Sequence, residues 1–181
     1  AGGTSPQAYL DSSGRLLLGT TTEGHADADN LTVSSSARTG ITIRSADDNF
    51  GNIYFSDGTS GGAEYAGYVQ YSHENNYLLF GSNATDRMRI DASGHVMIGT
   101  STEGFATYGD QFTIANTGHC GMTIRSGTSN YGTIYFSDGD DGSADEVRGF
   151  MDYNHTTNAM QLGTDGSTRV KITATGLVGI N

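Results

Sequence analysis

Apolar residues in this chain come two or three at a time, at every second position, parted by glycine, serine, threonine, asparagine and aspartate. Ile53-Tyr54-Phe55 and Met88-Arg89-Ile90 show the alternation of a strand with one side turned to a core. No 12-residue stretch carries apolar residues at i, i+3, i+4 and i+7, so helix is expected to be minor. The pattern predicts short strands near 31–33, 41–44, 52–55, 67–71, 77–80, 87–90 and 96–98. A second series follows near 112–114, 122–125, 133–136, 149–153, 159–162, 169–172 and 178–180. Asp57-Gly58, Gly61-Gly62, Asp138-Gly139 and Asp141-Gly142 read as the hairpin turns, because Gly and Asp tolerate positive φ.

The two series are copies of each other. Residues 31–58 align without gaps to 112–139, with 14 of the 28 positions identical. Gly67-Tyr68-Val69-Gln70-Tyr71 matches Gly149-Phe150-Met151-Asp152-Tyr153, and His73, Asn76, Gly81, Arg87 and Ile90 fall on His155, Asn158, Gly163, Arg169 and Ile172. One subsection occurs three times, as DSSGRLLLGT (11–20), DASGHVMIGT (91–100) and TATGLVGIN (173–181). This divides the chain into the end of a preceding repeat (1–20) and two tandem repeats of about 80 residues, 21–100 and 101–181. It also predicts a fragment of a longer array.

Strands of three to five residues bury too little surface to offset an ordering cost of roughly 1–2 kcal/mol per residue. The missing core must come from neighbouring repeats or neighbouring chains. Solenoid coils repeat at about 20–45 residues, and no shorter period lies inside the 80. The expected fold class is therefore all-β: a fibrous homotrimer of intertwined short strands, as a triple β-helix or a three-sheet prism, which leaves no long open edge. Ile53, Phe55, Ile98, Ile134, Phe136 and Ile180 are the expected contributors to the shared core.

Composition narrows the function. Charged residues make up 16% of the chain, against about 25% in a typical soluble domain. The net charge of −11 and nine scattered basic residues argue against nucleic acid. The acidity keeps a β-assembly soluble. A single proline excludes polyproline and collagen rods, and no apolar run approaches the roughly 20 residues that span a bilayer. AGGTSPQAYL carries neither the basic nor the apolar stretch of an export signal. Cys120 cannot form an intrachain disulfide, and its neighbours lack the partners of a zinc site, so it reads as a buried or incidental thiol.

Ser93-Gly94-His95-Val96-Met97-Ile98-Gly99-Thr100 and Thr175-Gly176-Leu177-Val178-Gly179-Ile180-Asn181 each follow a basic-apolar strand, Arg87-Met88-Arg89-Ile90-Asp91 and Arg169-Val170-Lys171-Ile172-Thr173. This element resembles a recurrent motif of phage tail-fibre stalks, where it often lies just ahead of an endosialidase-type intramolecular chaperone domain. The resemblance covers about a quarter of the chain. It implies a very stable homotrimeric shaft, part of the extracellular virion, that joins other fibre proteins and supports host attachment. None of that chaperone domain's catalytic residues has a counterpart here.

Candidate chemistry is sparse. Asp138, Asp140, Asp141, Asp145 and Glu146 form the densest acidic group, in a Gly-rich loop. A solvated turn is the expected reading, with a weak calcium site second and a glycosidase-type carboxylate pair third; the spacing is not that of an EF-hand. No two of His25, His73, His95, His119 and His155 are spaced as HxH or HxxxH. His73 and His155 could meet sister copies on a trimer axis, but their neighbours Glu74-Asn75-Asn76 and Thr156-Thr157-Asn158 indicate hairpin turns. No GxSxG elbow or phosphate loop occurs. Tyr54, Phe55, Tyr135 and Phe136 are expected in the core, while Tyr65, Tyr68 and Tyr77 read as surface tyrosines able to stack on glycans. Thr-x-Thr at 20–22 and 100–102 lacks the short period of an ice-binding face. No catalytic, metal or cofactor residue is assigned. The expectation is a non-enzymatic shaft segment; a glycan- or receptor-binding module of a surface fibre is the alternative, ahead of a glycan-cleaving enzyme.

Overall fold

The computed structural model describes residues 8–139 and 144–181, and its regular structure is β apart from the 3-10 turns Gly61–Tyr65 and Ala144–Val147. The chain divides into two compact units, residues 1–116 and 117–181. In the first, β1 (Ala8–Leu10), β2 (Leu16–Leu18) and β3 (Leu31–Val33) form one sheet, with β1 antiparallel and β3 parallel to β2. Six strands in sequence order form a second sheet: β4 (Phe50–Phe55), β5 (Gly67–Ser72), β6 (Tyr77–Ser82), β7 (Thr85–Ile90), β8 (Val96–Ile98) and β9 (Phe112–Ile114). All neighbours are antiparallel except β8 and β9. The second unit is a five-stranded antiparallel meander of β10 (Tyr131–Phe136), β11 (Gly149–Asn154), β12 (Ala159–Thr164), β13 (Ser167–Ile172) and β14 (Val178–Ile180).

Equivalent strands pair in equivalent register. Ile53 faces Val69 as Ile134 faces Met151, and the ladder slips between Phe80 and Gly81 as it does between Leu162 and Gly163. The slip leaves Arg87 and Arg169 as the extra residue of a bulge. Their carbonyls accept from the N–H of Gly99 and Asn181 at 3.0 and 2.9 Å, which ties the following strand to the bulge.

The tight turns lie elsewhere than the Asp-Gly pairs predicted. Asn83-Ala84 (φ 55° and 51°) and Asp165-Gly166 (φ 53° and 65°) join β6 to β7 and β12 to β13, with the positive φ at both central positions that a type I′ turn needs. Asp57-Gly58 and Asp138-Gly139 belong instead to the longer β4–β5 and β10–β11 connections, which contain the 3-10 turns; Asp141-Gly142 lies outside the described residues. Dipeptide chemistry licenses positive φ but does not say how far apart the paired strands begin.

All the predicted strands form except 41–44 and 122–125. Their alternation is genuine: Ile41 and Ile43, Met122 and Ile124. However, Ile43 and Ile124 only lie beside Gly51 of β4 and Gly132 of β10, and among the described residues neither segment joins a sheet or has a backbone hydrogen bond. A strand needs a ladder partner as well as a pattern.

Candidate assembly face and an acidic cradle

Registry assigns every side chain to a face, because successive residues point to opposite sides. In the larger sheet of the first unit one face carries Ile53, Phe55, Val69, Tyr71, Leu78, Phe80, Met88, Ile90, Val96, Ile98, Phe112 and Ile114, with no charged residue among them. The second unit repeats this with Ile134, Phe136, Met151, Tyr153, Met160, Leu162, Val170, Ile172, Val178 and Ile180. These faces are half-buried at their centres and open at many positions. Ile53 is 50% exposed, Phe55 63%, Phe136 62% and Ile180 81%. All six expected core contributors lie on them, and none is buried within the protomer. Ile43 and Ile124 lie beside shallow apolar hollows of about 210 and 280 Å³ on these faces.

In the first unit the chain's own connections pack against parts of the opposite faces. Met97 and Leu17, on β8 and β2, are buried, and Ser101, Thr102 and Glu103 of the β8–β9 connection line the hollow beside Met97. Tyr68 is buried against Tyr54 and Tyr65, with ring centroids 6.4 Å from each, and its hydroxyl donates to the Asp86 carboxylate. Burial first, then that bond, pushes the Tyr68 phenol up to about 12. The ring lies over Gly81, and in the second unit Phe150 lies over Gly163; a Cβ on either glycine would overlap the ring. Tyr68 is therefore a core residue rather than a surface tyrosine; no alternation rule says that the polar-looking face receives a lid.

Large apolar side chains stay exposed in both units, among them Phe112 at 54%, Tyr131 at 53% and Val178 at 62%. Ser45 and Ser126, at equivalent positions beside the unpaired segments, each bury a hydroxyl with no hydrogen-bond partner, a state that buried polar groups rarely keep.

The remaining singled-out residues are accounted for locally. His73 and His155 sit in the turns after β5 and β11, packed edge-on against Tyr71 and Tyr153 at 5.0 and 4.9 Å. Tyr65 is 40% exposed, and Tyr77 lies under the Arg89 guanidinium at 4.1 Å. Asp138 and Asp165 both pair with Arg148, at 3.1 and 2.9 Å. Asp140 and Asp141 lie outside the described residues, as does the side chain of Asp145. Cys120 is exposed rather than buried. Thr20 and Thr100 accept from the N–H of Thr22 and Thr102, both at 3.0 Å, closing local turns.

One cluster escaped the sequence reading, which looked for histidines near histidines. In the turn between β7 and β8, Asp91 Oδ1 accepts from the N–H of Ser93 and His95, both at 2.9 Å. Desolvation would raise the Asp91 carboxyl, but these N–H groups and the imidazole outweigh it and hold it below the usual range. His95 Nδ1 lies 3.0 Å from Asp91 Oδ2 and 3.3 Å from Glu103 Oε2, and Nε2 lies 3.8 Å from Asp110. The turn between β1 and β2 is built alike: Asp11 Oδ1 accepts from Ser13 and Arg15, and the Arg15 guanidinium meets Asp11, Asp29 and Glu23 at 2.6, 2.9 and 3.7 Å. In the third copy Thr173 replaces the aspartate, its Oγ1 accepting from the N–H of Leu177.

No protein-family model matches the chain, and no curated protein matches it.

Proposed function

We propose that the chain is a shaft segment of a homotrimeric fibre of the phage tail-fibre kind, in which the open apolar faces of three protomers close on one another. The observation that carries this reading is the asymmetry of the sheets. In both units one face carries uncharged, mostly apolar residues that stay largely open at equivalent positions, and in the first unit the opposite face packs under the chain's own connections at Tyr68 and Met97. A contiguous exposed apolar face of this kind marks an interaction surface. A sister chain would also supply ladder partners for 41–44 and 122–125, and tandem copies lengthen a rod without new design. The role is mechanical, within an extracellular virion, with other fibre proteins as neighbours; no catalytic step, cofactor, nucleic acid or membrane insertion enters.

The test is mass and face. Size exclusion with light scattering should give three times 19.0 kDa, and a stable monomer or dimer refutes the trimer. Ile53→Asp with Ile134→Asp should abolish the trimer, because a carboxylate on the closed face costs several kcal/mol. Tyr65→Ser, off that face, should leave it intact. Tight, specific capture on a glycan array would turn the assignment toward a host-binding module.

A further inference from the structure

We propose that Asp91, His95 and Glu103 form a binding site for a borderline divalent transition metal, with zinc as the reference ion. The three donor atoms belong to one cluster lying within 4.8 Å of each other. His95 Nδ1 stands 3.0 Å from one carboxylate oxygen and 3.3 Å from the other. Ligands held about 2.0–2.2 Å from one ion, at tetrahedral to octahedral angles, are spaced by roughly these distances. A single Nδ1 proton can satisfy only one oxygen well, whereas a dication on the Nδ1 lone pair serves both. Metal on Nδ1 uses the tautomer whose single proton is on Nε2, which faces Asp110.

The second observation comes from the chain's own first copy. The carboxylates at 11, 23 and 29 stand where 91, 103 and 110 stand in the next copy, and there they surround a permanent cation, the Arg15 guanidinium. The cradle is built for positive charge. His95 stands in that position, and imidazole supplies a metal ligand where guanidinium supplies none. One nitrogen with two carboxylates selects zinc, cobalt or nickel over calcium and magnesium, which prefer all-oxygen shells. His95 and Asp110 are nearly buried, with 13% and 15% of their side chains exposed. Asp91 and Glu103 open onto a hollow of about 470 Å³ through which a hydrated ion can enter. The site lies within one unit of one chain, so it stands independently of the trimer.

The experiment titrates the full chain, stripped with chelator, with zinc chloride by calorimetry and with cobalt chloride by visible absorption. One ion per chain is expected, with calcium unable to compete. His95→Arg copies the first cradle: it should keep the fold and oligomeric mass and lose the ion. His95→Gln should weaken binding by more than the roughly 10–100-fold that loss of an outer-shell partner causes. Arg15→His should raise the stoichiometry to two. No zinc or cobalt uptake by the wild-type chain overturns the proposal. So does uptake that survives in H95R, competition by equimolar calcium, or an R15H chain that binds no second ion.

Discussion

Gly81 sits at the bulge between β6 and β7 with the Tyr68 ring laid over its Cα, so Gly81→Ala asks a buried ring and a methyl group to share one place. Its φ is not in the left-handed region, so alanine fits the backbone and the whole cost is the collision. The ring must move on the order of 1 Å to reach normal contact distance. That forfeits much of the burial of an aromatic side chain, about 1.5–3 kcal/mol, and the hydroxyl's bond to the charged Asp86, about 1.5–3 kcal/mol. Stiffening the unfolded chain returns about 0.4–1 kcal/mol. The net expectation is a loss of about 2–4 kcal/mol, or a fall in Tm of roughly 5–15 °C for a chain of this size. The assay is denaturant and thermal unfolding at one fixed protein concentration, since any assembly makes stability concentration-dependent. Two controls isolate the mechanism. Gly163→Ala meets the Phe150 ring in the same way but has no hydroxyl bond to lose, so it should cost less by about 1.5–3 kcal/mol. In a Tyr68→Ala background, Gly81→Ala should cost nothing further, because the group it collides with is gone. A G81A chain within about 0.5 kcal/mol of wild type, or one equally destabilised with and without Tyr68, refutes the reasoning.

Other positions give separate expectations. Tyr68 should ionise near pH 12, above its unfolded value of about 10; its contribution to stability is thus complete below pH 10 and lost as pH rises through 12. Wild type minus Tyr68→Phe in a 295 nm absorbance titration reads this directly, and a difference midpoint near 10 contradicts it. The Arg15 N–H, outweighing burial and helped by the guanidinium, holds Asp11 below the ordinary carboxylate range, so this stabilisation is present above the unfolded value and fades as pH falls through the folded one. Arg15→Leu, which copies Leu177, should therefore be less stable than wild type at pH 7, with the gap narrowing as the medium is acidified. NMR titration should show the Asp11 pKa rising only partway, since the N–H of residue 15 remains. Ala84 holds φ 51° where the second unit has Gly166; a left-handed alanine costs about 1–2 kcal/mol, so Ala84→Gly should gain about 0.5–1 kcal/mol after the entropy of glycine is subtracted. An unchanged urea midpoint would show that the turn carries no such strain. Arg148→Ala removes the exposed ion pairs to Asp138 and Asp165, and their loss should cost less than about 1 kcal/mol.

The sequence by itself determined most of the strands, though not β1 or β2, and which side of each predicted strand is apolar. Ile53, Phe55, Ile134 and Phe136 were readable as members of one surface because alternation is a property of consecutive residues and needs no partner. It could not say that 41–44 and 122–125 would stay outside every ladder of the protomer, since pairing depends on what lies alongside. Nor could it say that Tyr68 would turn inward under the Gly61–Tyr65 turn. The cradle was beyond it for the same reason. Asp91 and His95 are four residues apart, but Glu103 and Asp110 join them only because the connection to β9 folds back over β8. Local periodicity records where a side chain points; which side chains converge is decided by the path of the loops between strands, and only the tertiary structure holds that path.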